Sequence, residues 1–258
     1  GVGSKSAEEI IKKGITSIEQ LKLNLNLLND KQKIGVKYYD DINKRIPRNE
    51  IDDFYIKLGV IMQELNLKDT TFEIVGSYRR EKSESGDIDI IITNKKNDQS
   101  VFNKILNYLH DLEIIVKDGF LSRGTVKSLT IVDVYPEAKN SIKRRVDFLY
   151  APPQEYSFAI LYFTGSKIFN TLMRQHALNL GYTLNEHCLS EFTQGNKGKK
   201  IERDFQNEKD IFDFLNIEYK EPKDRTDITS FIIKEDKEED KQEDQKKIEK
   251  KKEINIDS

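Results

Sequence analysis

Four short segments rich in β-branched and aromatic residues constrain the fold more than any other feature of this sequence. They cover residues 72–75, 88–93, 128–134 and 145–150. Their length and composition are those of β-strands, whereas apolar residues recur at helical spacing over 51–65 and 100–112. Strands mixed with helices in this way predict an α+β domain whose sheet is covered on one face.

Prolines mark two breaks between the predicted modules. Short helices are predicted at 8–13, 18–27 and 31–42 before Pro47, and a helix at 167–180 with a polar loop at 194–200 after Pro152 and Pro153. The predicted domains are therefore residues 1–47, 48–153 and 154–225. Residues 226–258 are predicted to form a disordered tail, because residues 234–253 hold eight lysines and nine acidic residues but only one apolar residue.

The composition excludes several kinds of protein and site. With one cysteine, Cys188, and three histidines, neither a disulfide framework nor a Cys/His metal site is expected, so any metal must be held by carboxylates. No stretch approaches the ~20 apolar residues of a membrane span, and the first residues lack a signal-peptide pattern. We therefore expect a soluble protein that is not secreted. The net charge of −2 is unevenly distributed, because residues 1–50 carry an excess of positive charge, with ten Lys or Arg and seven Asp or Glu.

A pair of aspartates lies on one face of a predicted strand. Asp87 and Asp89 are two residues apart, so both carboxylates leave the same face while Ile88 and Ile90 leave the other. Asp147 lies in the strand predicted at 145–150. If the two strands are neighbours, the three carboxylates can bind two Mg²⁺ ions for in-line phosphoryl transfer. Taken alone, an Asp-x-Asp on a strand is more often a solvated strand edge.

Groups suited to phosphate binding precede these aspartates. Gly76 and Ser77 open a strand-to-helix turn that can present backbone and hydroxyl donors, and Arg79 and Arg80 add charge-assisted donors. A second glycine turn, Gly1-Val2-Gly3, stands before the first predicted helix, where backbone N–H groups can face a phosphate. A plain helix-capping loop explains that second turn equally well.

Longer motifs at fixed order along the chain identify a resemblance. They are residues 1–3, 44–48, 76–80, 86–89, 162–166, 168–170, 173–174, 176–178, 181–186 and 221–225, together with the third aspartate at 147. With these motifs the chain resembles family X DNA polymerases over residues 1–225, and within that family it is nearest to polymerase beta. The resemblance implies helix-hairpin-helix fingers, a nucleotidyltransferase palm with a mixed β-sheet and a small α/β thumb.

The resemblance also implies metal ligands. Asp87 and Asp89 would bind two Mg²⁺ ions, for which Mn²⁺ can substitute. Asp147 would bind the catalytic ion and help to deprotonate the primer 3′-hydroxyl for attack on the α-phosphate. The carbonyl of Val2 would bind a monovalent cation, Na⁺ or K⁺, at the helix-hairpin-helix. By contrast, His176 is expected to pack rather than to bind a metal, and Cys188 to be an ordinary buried thiol.

Further roles come from the same resemblance. The residues that it implies for nucleotide binding are Arg45, Ser77, Arg80, Gly86, Tyr162, Phe163, Gly165, Asn170 and Arg174. Tyr162, Phe163 and Gly165 would line the sugar pocket; without the resemblance, two rings at the start of a helix are more typical of a core. The residues that it implies for DNA binding are Gly1, Gly3, Lys5, Ser6 and Arg145, the last near the primer terminus.

The function implied is template-directed DNA synthesis that fills short gaps in DNA repair of the base excision type. Expected substrates are gapped or primer–template DNA and deoxynucleoside triphosphates. We expect a monomer that acts with a repair ligase or scaffold protein in the nucleus or another DNA-containing compartment. Two alternatives stay open. Short connections argue against a template-independent terminal nucleotidyltransferase, and the three aspartates argue against a non-catalytic helix-hairpin-helix DNA-binding protein.

Some features depart from polymerase beta. Leu149, Lys167 and His187 stand where that enzyme has an arginine, an aspartate and a tyrosine, so the network that closes the subdomain is expected to differ. The N-terminal lyase module and the first helix-hairpin-helix are not found ahead of Gly1. We therefore expect either a fragment or a protein without lyase activity.

Overall fold

The computed structural model of this chain describes residues 2–234. Its N-terminal module consists of short helices around a small apolar core. The helices are α1 (Ser4–Lys12), α2 (Ile18–Lys22), α3 (Asp30–Lys37) and α4 (Tyr39–Ile42), with a 3₁₀ turn at Leu25–Leu27. The core consists of Ile15, Leu21, Leu28 and Val36. The predicted helices at 18–27 and 31–42 are each interrupted, and α3 begins with a capping box between Asn29 and Gln32.

The central module, the palm, contains a five-stranded sheet and two long helices. Its helices are α5 (Arg48–Glu64), the single turn α6 (Gly76–Arg79) and α7 (Ser100–Asp111). Its strands are β1 (Ile46–Pro47), β2 (Thr70–Ile74), β3 (Glu84–Ser85), β4 (Ile88–Asn94), β5 (Ile115–Arg123), β6 (Lys127–Asp133) and β7 (Lys143–Tyr150). The large sheet has the order β2-β4-β7-β6-β5, and β1 pairs with β3 separately. Only the β4–β7 pair of the large sheet is parallel, so the sheet is mixed as predicted.

Alternation along the strands determines where the palm core lies. Ile88, Ile90 and Ile92 of β4 point into a cluster that also includes Val146 and Phe148 of β7. Helices α5 and α7 cover this face with residues such as Phe54 and Phe102. The opposite face of β4 and β7 is left to polar side chains near their starts, and the candidate site lies there.

The third module, the thumb, is a small α/β unit. After a 3₁₀ turn at Pro153–Glu155 it contains α8 (Tyr156–Thr164), α9 (Lys167–Asn179), β8 (Tyr182–Leu184), β9 (Leu189–Thr193), β10 (Asn196–Lys200) and α10 (Glu208–Phe214). The three strands form a sheet in the order β10-β9-β8. The polar loop predicted at 194–200 is wrong, because residues 196–200 pair with β9 as an edge strand whose side chains are all exposed.

The thumb continues beyond the predicted start of the tail at residue 226. The backbone N–H of Glu218 donates to the carbonyl of Ile232 at 2.9 Å, and Ile217 and Ile233 form an isolated β-bridge. The side chain of Phe231 packs against the thumb core. The boundary predicted at Arg225 is therefore too early, and Thr226–Lys234 belong to the thumb. The rest of the predicted tail, residues 235–258, lies outside the described residues. No helix within residues 2–234 has the length and apolar character to cross a membrane.

Candidate active site

Strand register brings two of the predicted aspartates side by side. Strands β4 and β7 are parallel neighbours, and Asp89 is the direct partner of Asp147. Asp87 precedes β4 by one residue and lies on the same side of the alternation as Asp89. The two strands are therefore neighbours, as a shared carboxylate site requires.

The two central carboxylates lie in an environment that disfavours their charged forms. Burial, and next the negative charge of Asp147, raises the pKa of Asp89 to about 6. Burial likewise raises the pKa of Asp147, although Arg145 and Lys127 oppose this shift. Two carboxylates this close, on a partly buried sheet face, need a cation to be stable in their ionised forms.

The donor set suits a hard divalent cation. Oδ1 of Asp147 is buried and has no hydrogen-bond partner, and carboxylate oxygens are the ligands that Mg²⁺ prefers. Asp87, however, forms an ion pair with Arg145, whose Nε also lies 4.0 Å from Oδ1 of Asp147. Within residues 2–234 no group of three or more His, Cys, Asp and Glu side chains is arranged to hold a metal ion. The structure thus brings Asp89 and Asp147 together and directs Asp87 toward Arg145.

A glycine-led turn lies directly against Asp89. Gly76 begins the single-turn helix α6 with a φ of +64°, and a Cβ there would lie 3.0 Å from Oδ2 of Asp89. The backbone conformation favours glycine, and any larger residue would have to displace the Asp89 carboxylate. The hydroxyl of the next residue, Ser77, makes a 2.7 Å hydrogen bond with the hydroxyl of the buried Ser85. The predicted strand-to-helix turn therefore forms and lies beside the carboxylates.

Two arginines approach this turn from different modules. Nη1 of Arg80 donates to the carbonyl of Thr164 at 2.5 Å, and burial lowers the pKa of Arg80. Nε of Arg45, at the junction of the first module and the palm, donates to Oε1 of Glu84 at 2.8 Å. A Cβ on Gly86 would lie 3.1 Å from Nη1 of Arg45. Ser77 therefore lies in the turn and Arg80 directly follows it, while Arg45 lies beside Gly86, the residue before Asp87.

The predicted sugar and base-pair residues lie at the junction of α8 and α9. Tyr162, Asn170 and Arg174 line one small depression, and Nδ2 of Asn170 donates to the carbonyl of Tyr162 at 2.6 Å. Phe163 instead packs against an apolar cluster that includes Ile91 of β4. Tyr162 and Phe163 lie in the last turn of α8, so their predicted position at the start of a helix is wrong. Gly165, with a φ of +69°, ends that helix.

The predicted DNA-binding residues of the first module lie at the start of α1. Gly3 is the N-cap of this helix, so no N-cap side chain accepts a hydrogen bond from the first N–H groups of α1. Val2 and Lys5 are exposed, and Ser6 is half-buried. Gly1 lies outside the described residues.

Three other predicted or unusual side chains have structural partners. Cys188 is buried, forms no disulfide and has its Sγ 3.6 Å from Oγ of Ser190. His176 packs its ring against Phe231 and makes a 2.8 Å hydrogen bond with the carbonyl of Leu215, which agrees with a packing role. Nδ1 of His187 lies 2.7 Å from Oε2 of Glu155, so this histidine joins the β8–β9 turn to the turn before α8.

Several charged residues that contact the site or the elements that support it were not predicted from the sequence. They are Glu50, Glu84, Lys127, Arg144 and Glu208. An ion pair of Arg144 could have been predicted from the sequence. Alternation places Arg144 on the same buried face as Val146 and Phe148, and a buried arginine needs a carboxylate partner. Its partner is Glu50, at 2.7 and 2.6 Å. Glu84 and Glu208 carried no such signal, because their partners come from distant parts of the chain.

Family models match nearly all of the described residues. The fingers domain of DNA polymerase lambda matches residues 1–43, the DNA polymerase beta palm residues 45–153 and the DNA polymerase beta thumb residues 159–226. The chain belongs to the family X DNA polymerases. The predicted family is therefore confirmed, and family X DNA polymerases depend on metal ions, generally Mg²⁺.

Curated relatives agree with this family. The chain is 31% identical over 237 residues to DNA polymerase lambda of Arabidopsis thaliana and 32% identical over 234 residues to DNA polymerase lambda of Rattus norvegicus. These alignments cover 87% of this chain but 44% and 40% of the relatives. A DNA nucleotidylexotransferase of Xenopus laevis is 26% identical over 259 residues, covering 87% of this chain and 50% of the relative. The chain thus spans about half or less of the curated relatives that it matches.

Proposed function

We propose that this chain is a template-directed DNA polymerase that adds deoxynucleotides to a primer 3′-hydroxyl and fills short gaps during DNA repair. The observation that carries the proposal is the pairing of Asp89 with Asp147 beside the Gly76–Ser77 turn, within a family X palm. The substrates proposed are gapped or primer–template DNA and deoxynucleoside triphosphates. The proposed setting is a nuclear or other DNA-containing compartment, with a repair ligase or scaffold as a partner.

The carboxylates would hold the metal ions and move the proton. Bound Mg²⁺ would neutralise charge on the phosphates and lower the pKa of the attacking hydroxyl. Asp89 and Asp147 are already neighbours, and Asp87 would join them by giving up its ion pair with Arg145. Arg145 would then be free to contact the primer terminus. Asp147, whose buried Oδ1 has no hydrogen-bond partner, would also accept the proton of the 3′-hydroxyl.

The surrounding groups would bind the nucleotide and the DNA. Arg45, Ser77, Arg80 and Gly86 are proposed to hold the triphosphate, because they supply donors within or next to the segment from Gly76 to Asp87. Tyr162, Phe163 and Gly165 are proposed for the sugar, and Asn170 and Arg174 for the minor-groove edge of the new pair. In the first module, the N–H groups near Gly3, Lys5 and Ser6 would bind a DNA phosphate, and the carbonyl of Val2 a monovalent cation.

The connection between β5 and β6 bears on the template-independent alternative. β5 ends at Arg123 and β6 begins at Lys127, so this hairpin has no long loop that could occupy the path of a template strand. We therefore favour template-directed synthesis over terminal transfer. Extension of a single-stranded primer without a template would contradict this preference.

A gap-filling assay on DNA with a one-nucleotide gap tests the proposed function. We expect Mg²⁺-dependent incorporation of the complementary nucleotide by the wild type, and a loss of at least about 10³-fold in kcat for Asp147→Ala, because a metal ligand and proton acceptor is removed. The matched control is Asp69→Ala, which removes a palm aspartate paired on the surface with Lys96 and should leave incorporation unchanged. No incorporation by the wild type would reject the polymerase assignment, and full activity of Asp147→Ala would reject the carboxylate site.

A further inference from the structure

A short β-ladder places an acidic residue behind Arg45. Arg45 immediately precedes β1, and β1 pairs with β3 so that Pro47 is opposite Glu84 and Ile46 is opposite Ser85. The backbone N–H of Arg48 extends the ladder by donating to the carbonyl of Ser83 at 3.0 Å. The ladder joins the first module to the loop that leads into the aspartates, and it fixes Glu84 next to Arg45.

The guanidinium of Arg45 is held along one edge, and among residues 2–234 no acceptor contacts the other. Its Nε donates to Oε1 of Glu84 at 2.8 Å and its Nη2 to the carbonyl of Glu84 at 3.3 Å. The remaining nitrogen, Nη1, faces Gly86, where a Cβ would lie only 3.1 Å away. Glu84 therefore occupies Nε and Nη2, which leaves Nη1, the nitrogen beside Gly86, available to the proposed phosphate site.

The main chain of Arg45 is fixed separately from its side chain. The buried Arg144 donates from Nη1 to the carbonyls of Lys44 and Arg45, each at 3.3 Å, and it makes a bidentate pair with Glu50. The side chain of Arg45, by contrast, is 56% exposed. A long exposed side chain loses rotamer entropy when it binds a ligand, and Glu84 restricts that freedom before a ligand arrives.

We propose that Glu84 is a positioning residue for nucleotide binding, which holds the Arg45 guanidinium so that Nη1 faces the phosphate chain of the incoming nucleotide. This inference rests on the proposed polymerase function and adds a determinant that acts through Arg45. The opposite effect, repulsion between the Glu84 carboxylate and the triphosphate, is the competing expectation. It is weakened by solvent, since the Glu84 side chain is 53% exposed.

Steady-state gap filling with Glu84→Ala and Glu84→Gln separates the two effects. We expect Glu84→Ala to raise the KM for the nucleotide about two- to fivefold at unchanged kcat, because an exposed ion pair of this kind has that order of effect. Glu84→Gln, whose amide oxygen can still accept a hydrogen bond from Nε of Arg45, should have a KM close to that of the wild type. If repulsion dominates, both variants lower the KM instead, and the proposal is overturned.

Control variants distinguish positioning from a change of local charge. Glu81 lies three residues before Glu84, in the turn that precedes β3, is exposed and makes no hydrogen bond or ion pair with Arg45; Glu81→Gln and Glu81→Ala should leave the KM unchanged. In an Arg45→Ala background, Glu84→Ala should no longer raise the KM. An equal rise in both backgrounds would show that Glu84 does not act through Arg45 and would reject the proposal. Absence of any wild-type incorporation would instead reject the polymerase function, so the two failures are distinguishable.

Discussion

At the scale of single residues, Asp89 is where stability and the proposed chemistry conflict. Its pKa is raised to about 6 by burial and by the charge of Asp147, so its ionised form destabilises the fold at pH 8 when no cation is bound. We predict that Asp89→Asn raises the free energy of unfolding of the metal-free protein by about 1–3 kcal/mol at pH 8, while nucleotide incorporation is lost. Urea unfolding in the presence of a chelator, together with the gap-filling assay, measures both effects.

The stability difference between Asp89→Asn and the wild type should depend on pH. Because the folded-state pKa of Asp89 lies above its ordinary value of 3.8, the folded protein binds the extra proton, and wild-type stability falls as the pH rises from about 4 to about 6. The advantage of Asp89→Asn should therefore grow over that interval and remain constant above it. Saturating Mg²⁺ should narrow the difference, since it binds the wild-type carboxylates. An advantage that is independent of pH would contradict the electrostatic explanation.

Individual site residues could be predicted where alternation along a strand decides their position. Asp89 and Asp147 project from the sheet face opposite Ile88 and Ile90, which the sequence alone indicates. The ion pair between Asp87 and Arg145 could not be predicted, because it depends on which of several nearby carboxylates an exposed arginine selects.

At the scale of elements, the segment after Arg225 completes the thumb. The ring of Phe231 lies 5.8 Å from that of Phe169 and 5.7 Å from that of His176. We predict that Phe231→Ala lowers the free energy of unfolding by about 1–3 kcal/mol, less than for a fully buried phenylalanine because this side chain is only partly buried. Ile228→Ala is the matched control in the same segment, since Ile228 is 68% exposed, and it should change stability by less than about 0.5 kcal/mol. Equal effects of the two variants in urea unfolding would show that Phe231 does not anchor the segment.

Elements were predictable from sequence where one periodicity dominates. The strand predicted at 88–93 is β4 (Ile88–Asn94), and the helix predicted at 100–112 is α7 (Ser100–Asp111). Helix α8 was missed because it is apolar almost all round, with six of its residues buried, so that it lacks an amphipathic period. Strand β10 was missed because all of its side chains are exposed, so that its sequence shows no alternation of apolar and polar residues.

At the scale of the whole molecule, a buried charge network joins the palm to the thumb. Glu208, at the start of α10, accepts from Nη2 of Arg79 and from Nη1 of Arg225, each at 2.7 Å. Arg79 belongs to α6, between Ser77 and Arg80, and also donates to Oγ1 of Thr164 at 2.8 Å. The guanidinium of Arg225 is fully buried among the rings of Phe169, Phe212 and Tyr219. The network therefore connects the proposed phosphate site to the core of the thumb.

Removing the carboxylate from this network should be costly, because Arg225 would remain buried without a counter-charge. We predict that Glu208→Gln lowers the free energy of unfolding at pH 7 by about 3 kcal/mol, whereas Glu218→Gln, which weakens the partly exposed pair with Lys220, should cost less than about 1 kcal/mol.

Burial alone would raise the pKa of Glu208, but Arg225 and Arg79 outweigh it and hold the pKa below its ordinary value of 4.5. The stability that the ionised carboxylate contributes is therefore present above pH 4.5 and is lost as the pH falls below it. Urea unfolding from pH 7 to pH 3 should show the advantage of the wild type over Glu208→Gln shrinking below pH 4.5, and a constant difference across that range would mean that packing of the side chain, rather than its charge, joins the two modules.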